Sequence, residues 1–240
     1  MGTIANLTVN WAHENQHRHW YKDETTSTNS IAKEEFNIIE DFKLFITNVQ
    51  SSGRGRGDNL WQNTKDKNSL LSSWTFKLDY IPQHFLPALI GLATIKSCKA
   101  AWPGLAWSIK APNDIFIADK KVAGLLTEVV QQGNETLVIV GLGFNVFSKP
   151  EELETASYLL NFMGELKSFS DEQWIQFLNE LLTNYKEMIK DSQQLEIADN
   201  NREQLLESIN ANPWKKEVYL EITDQGDLIT ETDTISWRDL

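Results

Sequence analysis

The longest regular pattern of apolar positions lies at Trp174, Phe177, Leu178, Leu181, Leu182, Tyr185, Met188 and Ile189, one continuous stripe on a helical face. It predicts an amphipathic helix over 171–190. A second helix is predicted over 84–99, with Leu86, Leu89, Ile90 and Ala93 on one face, and a short one near 201–209. Residues 42–50, FKLFITNVQ, read as a buried strand, and 72–79 as another. After Pro103-Gly104, strands over 106–110, 114–118, 122–130 and 136–146 follow in quick succession, with turns at Asn113-Asp114, Asp119-Lys120 and Gly133-Asn134. Links this short suit antiparallel neighbours, because a parallel crossover takes about a dozen or more residues. Strand-like pieces at 217–223 and 227–230 complete the chain. The pattern predicts an α+β fold, a mixed and mainly antiparallel sheet covered by helices. One main domain is expected over 1–210, with a reduced C-terminal β segment, 211–240, packed on it.

Composition narrows the function. The 240 residues are 41% hydrophobic, and 22 Lys and Arg stand against 34 Asp and Glu, a net charge of −12. Such an excess of acid disfavours DNA or RNA as a general partner and makes any local arginine cluster informative. Cys98 is the one cysteine, so no intramolecular disulfide can form and a reducing compartment fits. Residues 1–20 are polar and His-rich without an apolar signal region, and no stretch approaches the roughly 20 apolar residues of a membrane span. A cytoplasmic protein without a membrane partner is the expectation. His13, His17 and His19 lack an accompanying Cys or carboxylate pattern and read as a solvated N-terminal face, leaving the metal ligands unknown.

Several short segments carry chemistry. Residues 25–36, TTSTNSIAKEEF, read as a turn in which Ser27 or Thr28 caps a short helix. Gly53-Arg54-Gly55-Arg56-Gly57 follows Gln50 and must be a loop; its glycines let backbone approach a ligand while its arginines offer forked donors to carboxylate or phosphate. A surface loop with solvated arginines is the alternative. Lys110 ends a strand before Ala111-Pro112-Asn113-Asp114, and Lys121 and Gly124 follow across the next hairpin. Two lysines on neighbouring strands make sense if anions fill the space between them, or else they are exposed hairpin lysines. Gly141-Leu142-Gly143-Phe144-Asn145 closes an apolar strand. Glycines there point to close approach of a ligand or another backbone, and the asparagine must find hydrogen-bond partners. A bulge capped by the asparagine is equally compatible.

The order of these pieces is more specific than any one of them. Ser27-Thr28-Asn29, then Gln50-x-x-Gly53-Arg54-Gly55-Arg56, then Lys110-x-Pro112-Asn113-Asp114, then Lys121-x-Ala123-Gly124-x-Leu126-x-Glu128, then Gly141-x-Gly143-x-Asn145 resembles the biotin–protein ligase family across residues 25–147. The resemblance implies the α+β fold of those ligases. It also implies an ATP-dependent activity in two steps: biotinyl-5'-AMP forms with release of pyrophosphate, and biotin passes to a lysine of a carrier, the biotin carboxyl carrier protein of acetyl-CoA carboxylase. Mg2+ is implied as the accompanying ion, and the form is a monomer or homodimer. By the same resemblance Ser27, Thr28, Asn29 and Gln50 meet the ureido ring of biotin. Arg54, Gly55 and Arg56 fold over carboxylate and phosphate. Lys121 holds the carboxylate region, Lys110 lies near the α-phosphate, and Gly124 and Leu126 offer backbone groups along biotin. Trp61, Asn113 and Asn145 lie toward the nucleotide, together with Arg54, Arg56 and Lys110. Arg54, Lys110 and Lys121 are the catalytic set.

Three departures accompany the resemblance. Ala111 stands where the family has Trp, so Trp102 or Trp107 is expected to fill that wall. Asp58 adds a negative charge to the glycine–arginine loop. Residues 213–240 look shortened against the family's small β-barrel, with Gly226-Asp227-Leu228 and Ile235-Ser236-Trp237-Arg238 as remnants. The residues before Ser27 are too few for the DNA-binding helix-turn-helix of bifunctional members, so a monofunctional form is expected. A non-catalytic biotin or biotinyl-adenylate binding protein and a related lipoate ligase are the alternative functions.

Overall fold

The computed structural model describes residues 3–57, 59–64, 66–164, 169–237 and 239–240. Asp58 and Arg238, singled out above, lie outside the described residues. In chain order the elements are α1 Ile4–Glu14, β1 His19–Thr25, α2 Thr28–Glu34, β2 Phe42–Gln50, β3 Ser69–Leu78 and α3 Leu86–Ala101. They continue with β4 Trp107–Lys110, β5 Asp114–Ile117, β6 Lys120–Gln132, β7 Glu135–Asn145, α4 Asp171–Asp191 and α5 Asp199–Asn210. The short strands β8 Glu221–Ile222, β9 Leu228–Ile229 and β10 Thr234–Ile235 end the chain. Two compact units result: Met1–Ile81 with Val122–Asp171, and Pro82–Lys121 with Glu172–Leu240.

The first unit is a mixed sheet in the order β1-β2-β3-β7-β6, parallel between β1 and β2 and antiparallel elsewhere. Every residue of β3 from Ser69 to Phe76 is buried, as expected of a strand covered on both faces. Alternation assigns the faces. Trp74 points to α1, where its ring meets Trp11 at 5.8 Å. Ser73 points to α2, where its hydroxyl donates to Thr28. Phe45, Leu137 and Ile139 continue the α2 face as an apolar cluster with Ala32, Phe36 and Ile39. That face therefore changes character along its length, apolar under the end of α2 and small or polar under its start.

Helix α1 and strand β1 were not expected in a region that reads as polar. Thr3 accepts from the Asn6 amide as an N-cap, and Ile4, Ala5, Thr8, Trp11 and Ala12 form the buried face. His17 packs its ring against Trp11 at 5.0 Å and Phe42 at 5.6 Å, so it is half-buried and not part of a solvated face. His13 is exposed. Strand β1 has a single partner among these pairings, and most of its side chains are wet, which explains its polar spelling.

In the second unit β4 and β5 form a hairpin and α3 supplies a nearly continuous buried surface. The predicted stripe of α4 is buried as a set, from Trp174 to Ile189. Trp102 and Trp107, expected to replace the missing family Trp beside Ala111, instead sit in this core; Trp102 meets Trp107 at 6.2 Å and Phe177 at 5.3 Å. Other tryptophans stand near the Ala111 turn: Trp237 donates to the Pro112 carbonyl at 3.2 Å, and Trp214 to the Asp119 carbonyl at 2.7 Å. The strand-like tail shrinks to the two-residue strands β8–β10, paired antiparallel.

Candidate active site

The small, polar end of the α2 face is the candidate site of the first unit. Ser27 is the N-cap of α2 in extended conformation, yet its hydroxyl makes no capping bond. The residue is buried to 3% exposure. Capping is taken over by Gln50 at the end of β2, whose Oε1 accepts from the Thr28 amide at 2.8 Å and the Thr28 hydroxyl at 3.3 Å. With Oε1 committed to Thr28, the donor end of the Gln50 amide lies beside Gly53, where an added Cβ would stand 3.3 Å from Nε2. Asn63 clamps the Gln50 backbone in return, donating to its carbonyl and accepting from its amide. Ser27, Thr28, Asn29 and Gln50 are thus brought together, buried and uncharged.

Asn29 reaches across the sheet. Its Oδ1 accepts from Ser73, and its Nδ2 donates to the Leu126 carbonyl at 3.3 Å and to Glu128 at 2.9 Å. Register places Gly124 opposite Gly143 and Leu126 opposite Gly141, so these four share the face on which Asn29 lies. A Cβ at Gly141 would stand 2.6 Å from Asn29 Oδ1, and one at Gly143 2.5 Å from the Trp61 ring. The close approach inferred from glycines in a buried strand is real. What approaches is the Asn29 amide and the Trp61 indole.

The glycine–arginine segment is a compact hairpin. Arg54 bridges Leu60, the Gly55 amide donates to the Asn59 carbonyl at 2.8 Å, and the Trp61 amide donates to the Gly53 carbonyl at 2.9 Å. Asn59 Nδ2 closes the turn on the Arg56 carbonyl at 2.9 Å. Arg54 NH1 lies 3.5 Å from Glu128 Oε1, which Lys33 also holds at 2.7 Å. A cavity of about 700 Å3 opens beside Gln50, Gly53 and Trp61 toward Phe147, Lys149 and Tyr158, within the size range of small-molecule sites. Asn145 does not reach it. Its Oδ1 accepts from Ser69 at 3.1 Å and its Nδ2 donates to the Ser157 carbonyl at 3.2 Å, so it ties β7 to β3 and to the following loop.

Lys110, Asn113 and Lys121 belong to the second unit. Lys110 is exposed at the end of β4 and has no ion-pair partner among the described residues. It lines a cavity of about 300 Å3 with Pro112, Asp114, Trp214, Lys215 and Tyr219. Burial pushes the Tyr219 phenol above its usual value. Asn113 is half-buried in the turn. Lys121 pairs with Asp114 at 2.6 Å, so its charge is already partly answered within the hairpin. Sequence reasoning missed Ser73, Lys33, Trp214 and Lys215. Of these only the Ser72-Ser73 pair inside an otherwise apolar strand gave a visible signal.

A mixed sheet thus presents a buried polar face beside a glycine–arginine hairpin. The family model described as the Biotin/lipoate A/B protein ligase family matches residues 21–145, and the chain belongs to that family. Among curated proteins it is 33% identical over 155 residues to the "Bifunctional ligase/repressor BirA" of Bacillus spizizenii, covering 60% of this chain and 47% of that protein. It is 32% identical over 147 residues to the "Biotin--[acetyl-CoA-carboxylase] ligase" of Mycobacterium tuberculosis, covering 59% of this chain and 54% of that one. The chain thus spans about half the length of these curated relatives. A solved biotin protein ligase from Aquifex aeolicus, in complex with biotin and ATP, superposes with a TM-score of 0.68 at 22% identity, covering 90% of this chain and 94% of that one. The likeness establishes the expected fold. No helix among the described residues is long and apolar enough to cross a membrane.

Proposed function

We propose that the chain is an ATP-dependent biotin–protein ligase that forms biotinyl-5'-AMP and passes biotin to a lysine of a biotin carboxyl carrier protein. The single observation that carries the reading is the buried, uncharged set Ser27, Thr28, Gln50 and Asn29, in which the Ser27 hydroxyl is not spent on capping its helix and Gln50 is committed to Thr28 through its oxygen. A fused urea offers two N–H donors and one strong acceptor without charge, and such a set answers it without leaving a buried ion. In this reading Gly124 and Leu126 form the floor along biotin, with Gly55 and Trp61 in the hairpin above.

The chemistry needs charge where the carboxylate meets the α-phosphorus. The carboxylate oxygen forms a bond to phosphorus, the bond from phosphorus to the bridging oxygen breaks, and pyrophosphate leaves with that electron pair. Arg54, Lys110 and Lys121 would stabilise the added charge, Arg56 and Asn113 would flank the phosphates, and the Asn145 bonds would keep β7 in place beside the nucleotide. Mg2+ would enter on the ATP phosphates, since it keeps most of its waters and usually needs few protein ligands. No three of His, Cys, Asp and Glu are grouped to hold a metal among the described residues. In the second step a carrier lysine amine attacks the anhydride carbonyl and AMP leaves; Ser27 binds and does not act as a nucleophile. Release of pyrophosphate from ATP with biotin, against lipoate and octanoate as competitors, tests the reading. Binding of biotin without turnover points to a binding protein, and turnover with lipoate alone to the other branch of the family.

A further inference from the structure

Among the described residues Glu128 is the one acidic side chain that bonds to the set Ser27, Thr28, Asn29 and Gln50. It stands on β6 on the same face as Gly124 and Leu126, opposite Ile139. Its side chain is 18% exposed, so its interactions are screened less than those at the surface. Each carboxylate oxygen has its own duty. Oε2 accepts from Asn29 at 2.9 Å. Oε1 receives Lys33 at 2.7 Å and lies 3.5 Å from the Arg54 guanidinium.

Two consequences follow. A carboxylate accepts only, so the group facing Oε2 must be the NH2 of Asn29, and its carbonyl oxygen is turned to Ser73. Glu128 therefore decides which way the Asn29 amide points. Two cations also share one oxygen. One negative charge answers Lys33 and Arg54 together, and the shorter contact belongs to Lys33. Arg54 is held weakly by design of the neighbourhood: it is 48% exposed and its partner is mostly committed elsewhere. The local balance of one carboxylate against two cations leaves a positive charge available to an incoming anion.

We propose that Glu128 is a positioning residue, which fixes the Asn29 amide and tethers the base of the glycine–arginine hairpin through Arg54 until an anionic ligand draws the arginine away. Lys33 tunes the tether by competing for the same oxygen. The identity of the anion as the biotin carboxylate rests on the proposed function; the tether does not, since it exists without ligand.

Hydrogen exchange of the hairpin amides of Gly55, Asn59 and Trp61, measured on the ligand-free full chain, tests it. Glu128→Gln keeps the size and an acceptor for Asn29 but removes the charge. It should speed hairpin exchange roughly 1.5- to fivefold, the range expected of a partly exposed ion pair. Lys33→Met should slow it, because Oε1 then serves Arg54 alone. Unchanged exchange in Glu128→Gln, or a shift of both variants in the same direction, would overturn the tether. Should Glu128→Gln loosen the strands as well, Arg54→Gln decides: the hairpin should loosen alone and stop responding to Lys33→Met. A response that persists without Arg54 contradicts the proposal. Isothermal titration with biotin separates the two readings, because a parent chain that binds no biotin sinks the proposed function and leaves the exchange result standing.

Discussion

Gly143→Ala isolates the contact that shapes the candidate pocket. The added methyl would sit 2.5 Å from Cε2 and Cζ2 of Trp61, about 1 Å inside an ordinary carbon–carbon contact. Strand β7 cannot yield, since it is hydrogen-bonded to β3 on one side and β6 on the other. The indole must move instead, either off its rotamer or out of its seat. Overpacking of this kind costs about 1–3 kcal/mol. Because the Trp61 amide closes the hairpin on the Gly53 carbonyl, displacement of the ring should also loosen that hairpin. The assay is a double-mutant cycle with Trp61→Ala, read by urea unfolding. In the parent background Gly143→Ala should lose about 1–3 kcal/mol, and in the Trp61→Ala background less than about 0.5 kcal/mol, a coupling that only contacting residues show. Equal losses in both backgrounds would refute the packing argument and assign the cost to the backbone of β7.

Further outcomes are expected elsewhere. Lys121→Ala should weaken biotin binding by about 1–3 kcal/mol while stability falls by less, since its pair with Asp114 is partly exposed; titration calorimetry beside urea unfolding measures both, and equal losses would make the lysine structural. Arg56→Gly removes a side chain and adds backbone freedom where Asn59 closes the hairpin turn, so adenylate should escape and label lysines of unrelated proteins, seen by streptavidin blot after incubation with a bystander protein. Cys98 is fully buried and its thiol is pushed well above its usual value by that burial. Its folded pKa is raised, so its contribution is present below the unfolded value near 9.0 and is lost as pH rises past it. Urea stability of the parent should therefore drop more between about pH 8 and 10 than that of Cys98→Ala, and equal slopes would contradict the burial argument.

How much of this was readable from residues depends on where solvent sits. The α4 stripe announced itself because one face is wet and the other dry, so the period of 3.6 survives in the spelling. Strand β3 also read correctly in its second half, but its start at Ser69 was missed, since Ser69, Ser72 and Ser73 are polar letters in fully buried places. Those serines are polar because they serve Asn145, Trp74, Thr28 and Asn29 as hydrogen-bond partners. The opposite cause hid β1, whose mostly exposed side chains at the sheet edge leave no apolar alternation, and its parallel pairing through α2 is a tertiary choice that short turn signals do not encode.

The candidate site was legible as a set of residue types and not as a set of contacts. Gly141 and Gly143 signalled close approach, yet the groups that approach, Asn29 and Trp61, are brought there by tertiary packing that the strand's own residues do not encode. Asn145 was expected to face the nucleotide; its two bonds to Ser69 and Ser157 give it a framework task that any buried asparagine would also require. The replacement of the family Trp at Ala111 was assigned to Trp102 or Trp107 from nearness in sequence. Of the tryptophans that do stand near that turn, Trp237 bonds the Pro112 carbonyl from 125 residues away and Trp214 shares a cavity with Ala111 and Pro112, and both were beyond local reading.

The most direct test of the central claim is the product itself. Purified full chain, incubated with ATP, Mg2+ and biotin, should yield biotinyl-5'-AMP by mass spectrometry together with pyrophosphate, and addition of a biotin carboxyl carrier protein should convert it to biotinylated carrier and AMP. Absence of adenylate from a folded chain that binds biotin, or adenylate formed from lipoate or octanoate and not from biotin, would contradict the account.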